Sequence, residues 1–484
     1  MFKRLFLILV LILLGIIVVV AVKTILYSKP IPLYLSSDVK NTFDSSAIHL
    51  SQAIQLKTVS YGDTLAIDTV EFQNFRSFLE ITYPTVHAQL PRQIFSEFSY
   101  VYTWVGRNTS LKPYVIMAHM DVVPVEAAVE NNWTAPPFSG LIKGDTIWGR
   151  GAIDDKASVI GIFEAAEQLL REGYQPERTI YLCFGHDEEI AGRRGMAKIS
   201  EWFQQQGIKP ELVLDEGGMV STEQFTELRR PIAFVGVGEK GYVNIDLTVE
   251  KPGGHSSMPQ TETAIDILNK AITRLREQQM PARLTDPILQ MFQRLGPGSS
   301  LTDRIALSNQ WLFKSFLINN LEETKETNAQ VHTTIVPTII KAGIKDNVIP
   351  SVAKATLNSR ILTGETSDDV VKFVTKVIND ERVQVKKQTI SLMEPSTITA
   401  ADHPMFKLVE ANAYKTVPNV IVTPYLIVGA TDSRYFRPFS SAVVNFIPVT
   451  NAKGFHGIDE RIAINDLKRM VFFYKLMMQE PAAK

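Results

Sequence analysis

Two rhythms of apolar and polar positions alternate along the chain. The segments 113–119, 179–184 and 212–214 are short and almost wholly apolar, the pattern of strands buried on both faces. Between the first two, 157–172 repeats its apolar residues at helical spacing and stops before Gly173. Strands separated by helices predict an α/β layered unit around a mixed, largely parallel sheet. In such sheets ligands bind beyond the carboxyl ends of the strands. A second unit opens near Gly241. There 242–249 alternates as a half-buried strand, and a helix follows over 262–277. Strands over 331–342 and 354–362, a helix over 367–380 and a strand over 383–390 complete it. That β-α-β-β-α-β order is the ferredoxin-like α+β split motif, and 283–327 reads as a mostly helical insertion within it. From about residue 392 the chain returns to the first unit, with strands over 420–426 and 442–447 and a terminal helix from Asn465.

One segment follows neither rhythm. Residues 5–22 carry no charge and are flanked by Lys3, Arg4 and Lys23. At about 1.5 Å per residue they span about 27 Å, close to the hydrocarbon thickness of a bilayer. The run is longer than the core of a cleaved signal peptide and ends without a small-residue cleavage site. It reads as an uncleaved, single-pass transmembrane anchor with the rest of the chain outside the cytoplasm. Basic residues at both ends weaken the orientation signal. A secreted or periplasmic protein after signal cleavage is the alternative. The expected organisation is an anchor over 1–27, a linker over 28–44 and a catalytic domain over 45–238. The second unit then covers 239–391, and the catalytic domain is completed by 392–484.

The 484 residues are 45% hydrophobic and 21% charged, a globular composition with ample material for a core. A formal net charge of −1 and the lack of any basic run leave no electrostatic footprint for nucleic acid. The single cysteine, Cys183, lies in an apolar strand run. It excludes an intrachain disulfide and a thiolate metal cluster, so any metal must sit on His, Asp and Glu.

Those residue types gather in five clusters. His119 and Asp121 end one strand run, and Asp154 and Asp155 lie within 149–156. His186, Asp187, Glu188 and Glu189 follow 180–184, Asp215 and Glu216 follow 212–214, and His456 comes near the end. Each alone is an ordinary strand-end cap or solvated loop. Five together are harder to dismiss, because burying several carboxylates side by side is costly unless cations neutralise them.

In this order, His-x-Asp, Gly-Arg-Gly-x-x-Asp-Asp-Lys, Asp-Glu-Glu, a single Asp and a late His, the clusters resemble the M20 metallopeptidases. The carboxypeptidase S branch, with the related N-fatty-acyl-amino-acid hydrolases, is the most similar. The resemblance runs from about residue 45 to the end. It implies a zinc-hydrolase catalytic domain interrupted by a lid domain that forms a homodimer, with two Zn²⁺ per chain. Carried over residue by residue, His119 and Asp215 would bind one zinc, Glu189 and His456 the other, and Asp154 would bridge both. Neutral imidazole and carboxylate oxygen suit that metal. Asp121 would orient the His119 imidazole, the Asp154–Asp155 peptide would be cis, and Glu188 would be the general base. The stretch 253–259 resembles the lid motif whose histidine, here His255, reaches the partner subunit's site and stabilises the oxyanion. Asn347, Arg360 and Gly429 would bind substrate, with Arg360 gripping its carboxylate bidentately. His186 reads as loop support, and His49, His87, His332 and His403 as structural or surface residues.

The implied function is cleavage of the amide bond beside a free-carboxylate amino acid, first as a carboxypeptidase-type exopeptidase. An N-acyl (fatty-acyl) amino acid amidohydrolase is the alternative, since both reactions release an amino acid as the amine product. A catalytically inactive binding protein on the same fold is a third reading. The completeness of the ligand set and the presence of Glu188 speak against it.

Overall fold

The computed structural model describes residues 2–28, 31–34, 36–37, 39, 43–62, 67–390 and 392–479. Parts of the linker expected over 28–44, and residue 391 at the expected edge of the second unit, lie outside them. Phe2–Tyr27 is one continuous helix whose apolar side chains are almost all exposed, long and apolar enough to cross a membrane.

Among the described residues the largest sheet has nine strands. Eight follow in the order Arg92–Phe95, Ser99–Trp104, Ile180–Gly185, Tyr114–His119, Leu212–Asp215, Ala442–Asn445, Ile232–Glu239 and Ile421–Ile427. The four from Ile180–Gly185 to Ala442–Asn445 run parallel, with antiparallel pairing on either side, so the sheet is mixed. Alternation within the apolar runs sorts residues between two cores. Tyr114, Ile116 and Ala118 pack with the helices Lys156–Arg171 and Ile464–Gln479. Val115 and Met117 turn the other way, toward Cys183, Ile199 and Phe203. Covered on both faces, these strands need no polar alternation. Gly161 lets the two helices approach closely, since a Cβ there would sit 3.1 Å from the Tyr474 ring.

The hairpin Arg92–Phe95 with Ser99–Trp104 and the strand Ile232–Glu239 are absent from the expectations drawn from sequence. In the latter, Gly236 and Gly238 interrupt the β-branched pattern. Gly236 is there because the neighbouring strand crowds it, with a would-be Cβ 2.6 Å from Ile427. Pro424 sits in Ile421–Ile427, the last strand in the order, where a missing N–H can face away from the ladder.

The second unit is a four-stranded antiparallel sheet in the order Thr334–Ala342, Val352–Ile361, Gly241–Glu250, Val383–Lys387. The helices Ala264–Glu277 and Ser367–Ile378 cover one face. Each begins with a capping box, Thr263 with Asp266 and Thr366 with Asp369. The insertion consists of Asp286–Leu295, Leu301–Ser308, Gln310–Glu322 and Lys325–Val331. Helix therefore continues to Val331, and the strand expected from 331 begins at Thr334. Ile288, Met291 and Phe292 of the insertion pack on Ile232, Phe234 and Ile421, covering the end of the main sheet.

A buried ion pair ties the late segment to the loop before Lys156–Arg171. Arg150 Nη1 donates to Glu460 Oε2 at 2.7 Å, and Glu460 also accepts the N–H groups of Gly151, Ile153 and Asp154. Both side chains are almost wholly inaccessible to solvent. Removing one partner of such a pair leaves the other charge buried alone. Glu460→Ala is therefore expected to destabilise the fold by about 3–5 kcal/mol, read from the urea midpoint; an unchanged midpoint would show that the latch carries no stability.

Candidate metal centre

The parallel register sets His119 opposite Gly185 and Asp215 opposite Asn445, so the acidic clusters leave adjacent strands at one end of the sheet. There His119 Nε2 lies 2.9 Å from Asp154 Oδ1, and His456 Nε2 lies 2.7 Å from Asp154 Oδ2. The two oxygens of one carboxylate thus address two imidazoles. Glu189 Oε2 stands 3.3 Å from His456 Nε2, and ligand atoms of His119, Asp154 and Glu189 all lie within 4.8 Å of one another. The peptide bond Asp154–Asp155 is cis.

Asp121 organises this group. His119 Nδ1 is 3.0 Å from the Asp121 backbone carbonyl and 3.3 Å from its Oδ1. Both are acceptors, so Nδ1 carries a proton and Nε2 is the nitrogen turned toward Asp154. The Asp121 carboxylate also accepts the Ser60 hydroxyl at 2.7 Å and the N–H groups of Glu188 and Glu189 at 3.1 and 3.2 Å. One side chain therefore orients the imidazole and holds the Glu188–Ile190 turn. Asp155 supports from behind, its Oδ2 accepting the His119 N–H at 3.2 Å.

Negative charge exceeds positive charge here. Burial pushes Glu188, Asp155 and Asp432 well above the usual carboxylate range, and Glu216 up to about 7. For Asp154 burial acts in the same direction, but hydrogen bonds from His119 and His456 outweigh it and hold the group low. Burial disfavours a charged His119, yet Asp121, Asp154 and Glu216 raise it well above an ordinary imidazole. Glu189 Oε1 is buried with no hydrogen-bond partner among the described residues. Imidazole nitrogens and surplus carboxylate oxygens, without sulfur, fit a divalent cation of the zinc type.

The other expected residues fall in different places. Asp215 ends its strand with Oδ2 accepting the Ser433 N–H at 2.9 Å, while the adjacent Glu216 is the carboxylate that approaches His119 Nε2, at 3.6 Å. His255 and Asn347 lie at an exposed two-stranded antiparallel ribbon, Gly254–His255 with Val348–Ile349, where the Ser256 N–H donates to the Asn347 carbonyl at 3.2 Å. Among the described residues no hydrogen bond or ion pair joins that ribbon to the His119 group. Arg360 lies over the Tyr242 ring at 4.8 Å. Gly429 follows the strand Ile421–Ile427, and its Cα faces open space. His186 Nδ1 meets the Ser99 hydroxyl at 2.6 Å, His332 meets Glu322 and His403 caps the helix Pro404–Thr416, which makes them structural.

Sequence reasoning gave no role to Glu216, Asp432, Arg434 or Glu460. Asp432 lies beneath the 185–192 loop, so close that a Cβ on Gly192 would overlap its Oδ1, and Arg434 Nη2 is 3.8 Å from that oxygen. The acid-then-Arg spacing of Asp432 and Arg434 beside Gly429 was the available signal. Glu460 had none, since its role depends on N–H groups of a segment distant in sequence.

The chain matches the model of peptidase family M20/M25/M40 over residues 115–480. It is 38% identical to probable carboxypeptidase S-like 2 of Dictyostelium discoideum, over 96% of this chain and 91% of that protein. It is 35% identical to human N-fatty-acyl-amino acid synthase/hydrolase PM20D1, over 90% of this chain and 88% of that protein. Its fold is similar to the M20 family metallo-carboxypeptidase Sso-CP2 from Sulfolobus solfataricus, with a TM-score of 0.66, 17% identity and coverage of 90% and 99%.

Because Asp121 orients His119 without facing Asp154, Asp121→Asn is expected to weaken metal affinity about 10–100-fold, as measured by competition with a chromogenic chelator. Unchanged affinity would remove Asp121 from that role.

Proposed function

The chain belongs to peptidase family M20/M25/M40, and from that premise we propose that it is a two-zinc, carboxypeptidase-type exopeptidase cutting the amide bond beside a free-carboxylate amino acid. The observation that carries this reading is the Asp154 carboxylate, one oxygen toward His119 and the other toward His456. His119, Asp154, Glu189 and His456 would hold the metals. The fifth ligand comes from the Asp215–Glu216 pair, where the approach of Glu216 to His119 supports Glu216 over Asp215. When bound, the zinc ions supply Lewis-acid chemistry, acidifying a water and polarising the scissile carbonyl.

The protein's own groups do the rest. Glu188 takes the proton of the attacking water and passes it to the leaving amine. Its backbone is held by Asp121, which fixes it beside the Glu189 ligand. Arg360 and Gly429 bind the substrate carboxylate. His255 and Asn347 act from their exposed ribbon on the site of a partner subunit. A homodimer through the second unit is supported by the edge strand Thr334–Ala342, which leaves Val336, Ile339 and Ile340 exposed beside an unpaired ladder. Phe2–Tyr27 serves as the single-pass anchor, with the enzyme outside the cytoplasm.

A second reading, hydrolysis of N-fatty-acyl amino acids, is supported by the relatives of that description at 34–37% identity and by the apolar helix, which would keep the enzyme near lipidic substrates. Release of amino acid from peptides and from N-acyl amino acids separates the two. Turnover of the N-acyl compounds alone would overturn the peptidase reading.

Two variants test the chemistry. Glu188→Gln is expected to keep its metal content by elemental analysis while losing about 10²–10⁴-fold in turnover; loss of metal would make Glu188 a ligand instead. His255→Ala is expected to slow the chemical step about 10²–10³-fold, and mixing it with Glu188→Gln is expected to restore part of the activity. No restoration would contradict action across subunits.

A further inference from the structure

The C-terminal end of the apolar helix Phe2–Tyr27 does not lead into a free tether. Thr24 is the buried residue of that helix, and its Oγ1 lies 3.1 Å from Ser308 Oγ. The Asn309 side-chain amide donates to Thr24 Oγ1 at 3.3 Å and to the Val20 carbonyl at 3.4 Å. One turn further on, the Tyr27 hydroxyl donates to the Phe292 carbonyl, and Ile31 packs against the insertion's core. The helix is thus clipped along its last turns to the helix Leu301–Ser308, to Asn309 that follows it, and to the helix Asp286–Leu295. Val20 lies inside the uncharged run 5–22, about 3 Å along the axis from its end. If that run spans the hydrocarbon, the Ser308–Asn309 corner sits at the membrane boundary.

The surface beside this corner has the composition of such a boundary. Trp311 is 53% exposed, Leu312 48%, Phe316 45% and Leu301 61%. Lys23 stands over the Trp311 ring, 6.0 Å from its centroid, and Lys314 is exposed on the same helix. Tryptophan with lysine is the pairing favoured at the headgroup level, where the ring reaches the acyl boundary and the ammonium reaches water or phosphate. A helix bearing large exposed apolar side chains beside a membrane span has a ready partner in the bilayer surface.

We infer that the helices Leu301–Ser308 and Gln310–Glu322 form a second membrane contact, dipping Trp311, Leu312 and Phe316 into the lipid interface next to the span. The occupant is the phospholipid surface itself. The contact fixes the orientation of the whole enzyme on the membrane, because the insertion also packs on the main sheet through Ile288, Met291 and Phe292. It rests on the anchor reading above.

The test uses the full chain reconstituted in phosphatidylcholine vesicles with and without bromine on the acyl chains. Of the five tryptophans, Trp104 and Trp133 are buried and Trp148 and Trp202 are partly buried, which leaves Trp311 as the exposed one. Brominated lipid is expected to quench part of the tryptophan emission, and Trp311→Phe to remove most of that quenching. Protein that stays in the vesicles through an alkaline wash but shows equal quenching in both forms would overturn the dock and leave the anchor standing. Protein that washes off would overturn both.

Discussion

Burial and negative charge oppose one another around Asp154, and much of the fold serves to hold them together. A carboxylate taken out of water needs compensation of several kcal/mol from partners or cations. Here Asp154, Glu189 and Glu216 converge, and among the described residues His119 and His456 approach them directly. Such an arrangement persists only where the backbone imposes it. The parallel strands Tyr114–His119, Ile180–Gly185 and Leu212–Asp215 lie side by side, and their pairing fixes three of the clusters relative to one another.

The remaining two arrive by side-chain contacts rather than by sheet hydrogen bonds. Glu460 accepts three N–H groups of one loop and the Arg150 guanidinium, which brings the His456 segment against the Asp154 loop. Asp121 plays the complementary part, receiving Ser60, the Glu188–Glu189 backbone and the His119 imidazole. Acids outside the metal-facing group thereby determine where the metal-facing acids lie, as partners behind the ligands do in tuning a metal site.

Much of this was legible in the chain. Tyr114–His119 and Ile180–Gly185 announce themselves as continuous apolar runs, and Ala264–Glu277 and Ser367–Ile378 by their helical period. Period is a local property, so sequence carries it. The strand Ile232–Glu239 was hidden because Gly236 and Gly238 answer to the packing of Ile427 and Ile398, which no local pattern reveals. For the same reason His119, Asp154, Glu189 and His456 were visible as types, whereas the closer approach of Glu216 than Asp215 to His119 depends on which way two successive side chains point at a strand end. Glu460 and Asp432 escaped notice because their roles lie in contacts across long sequence separations.

A metal titration followed by calorimetry tests the shared carboxylate most directly, comparing the wild-type chain with Asp154→Asn. Two divalent ions per wild-type chain, and both sites weakened together by the single substitution, is the result predicted if Asp154 joins them. One ion per chain, or two ions of which only one responds, would contradict a carboxylate held between two metals.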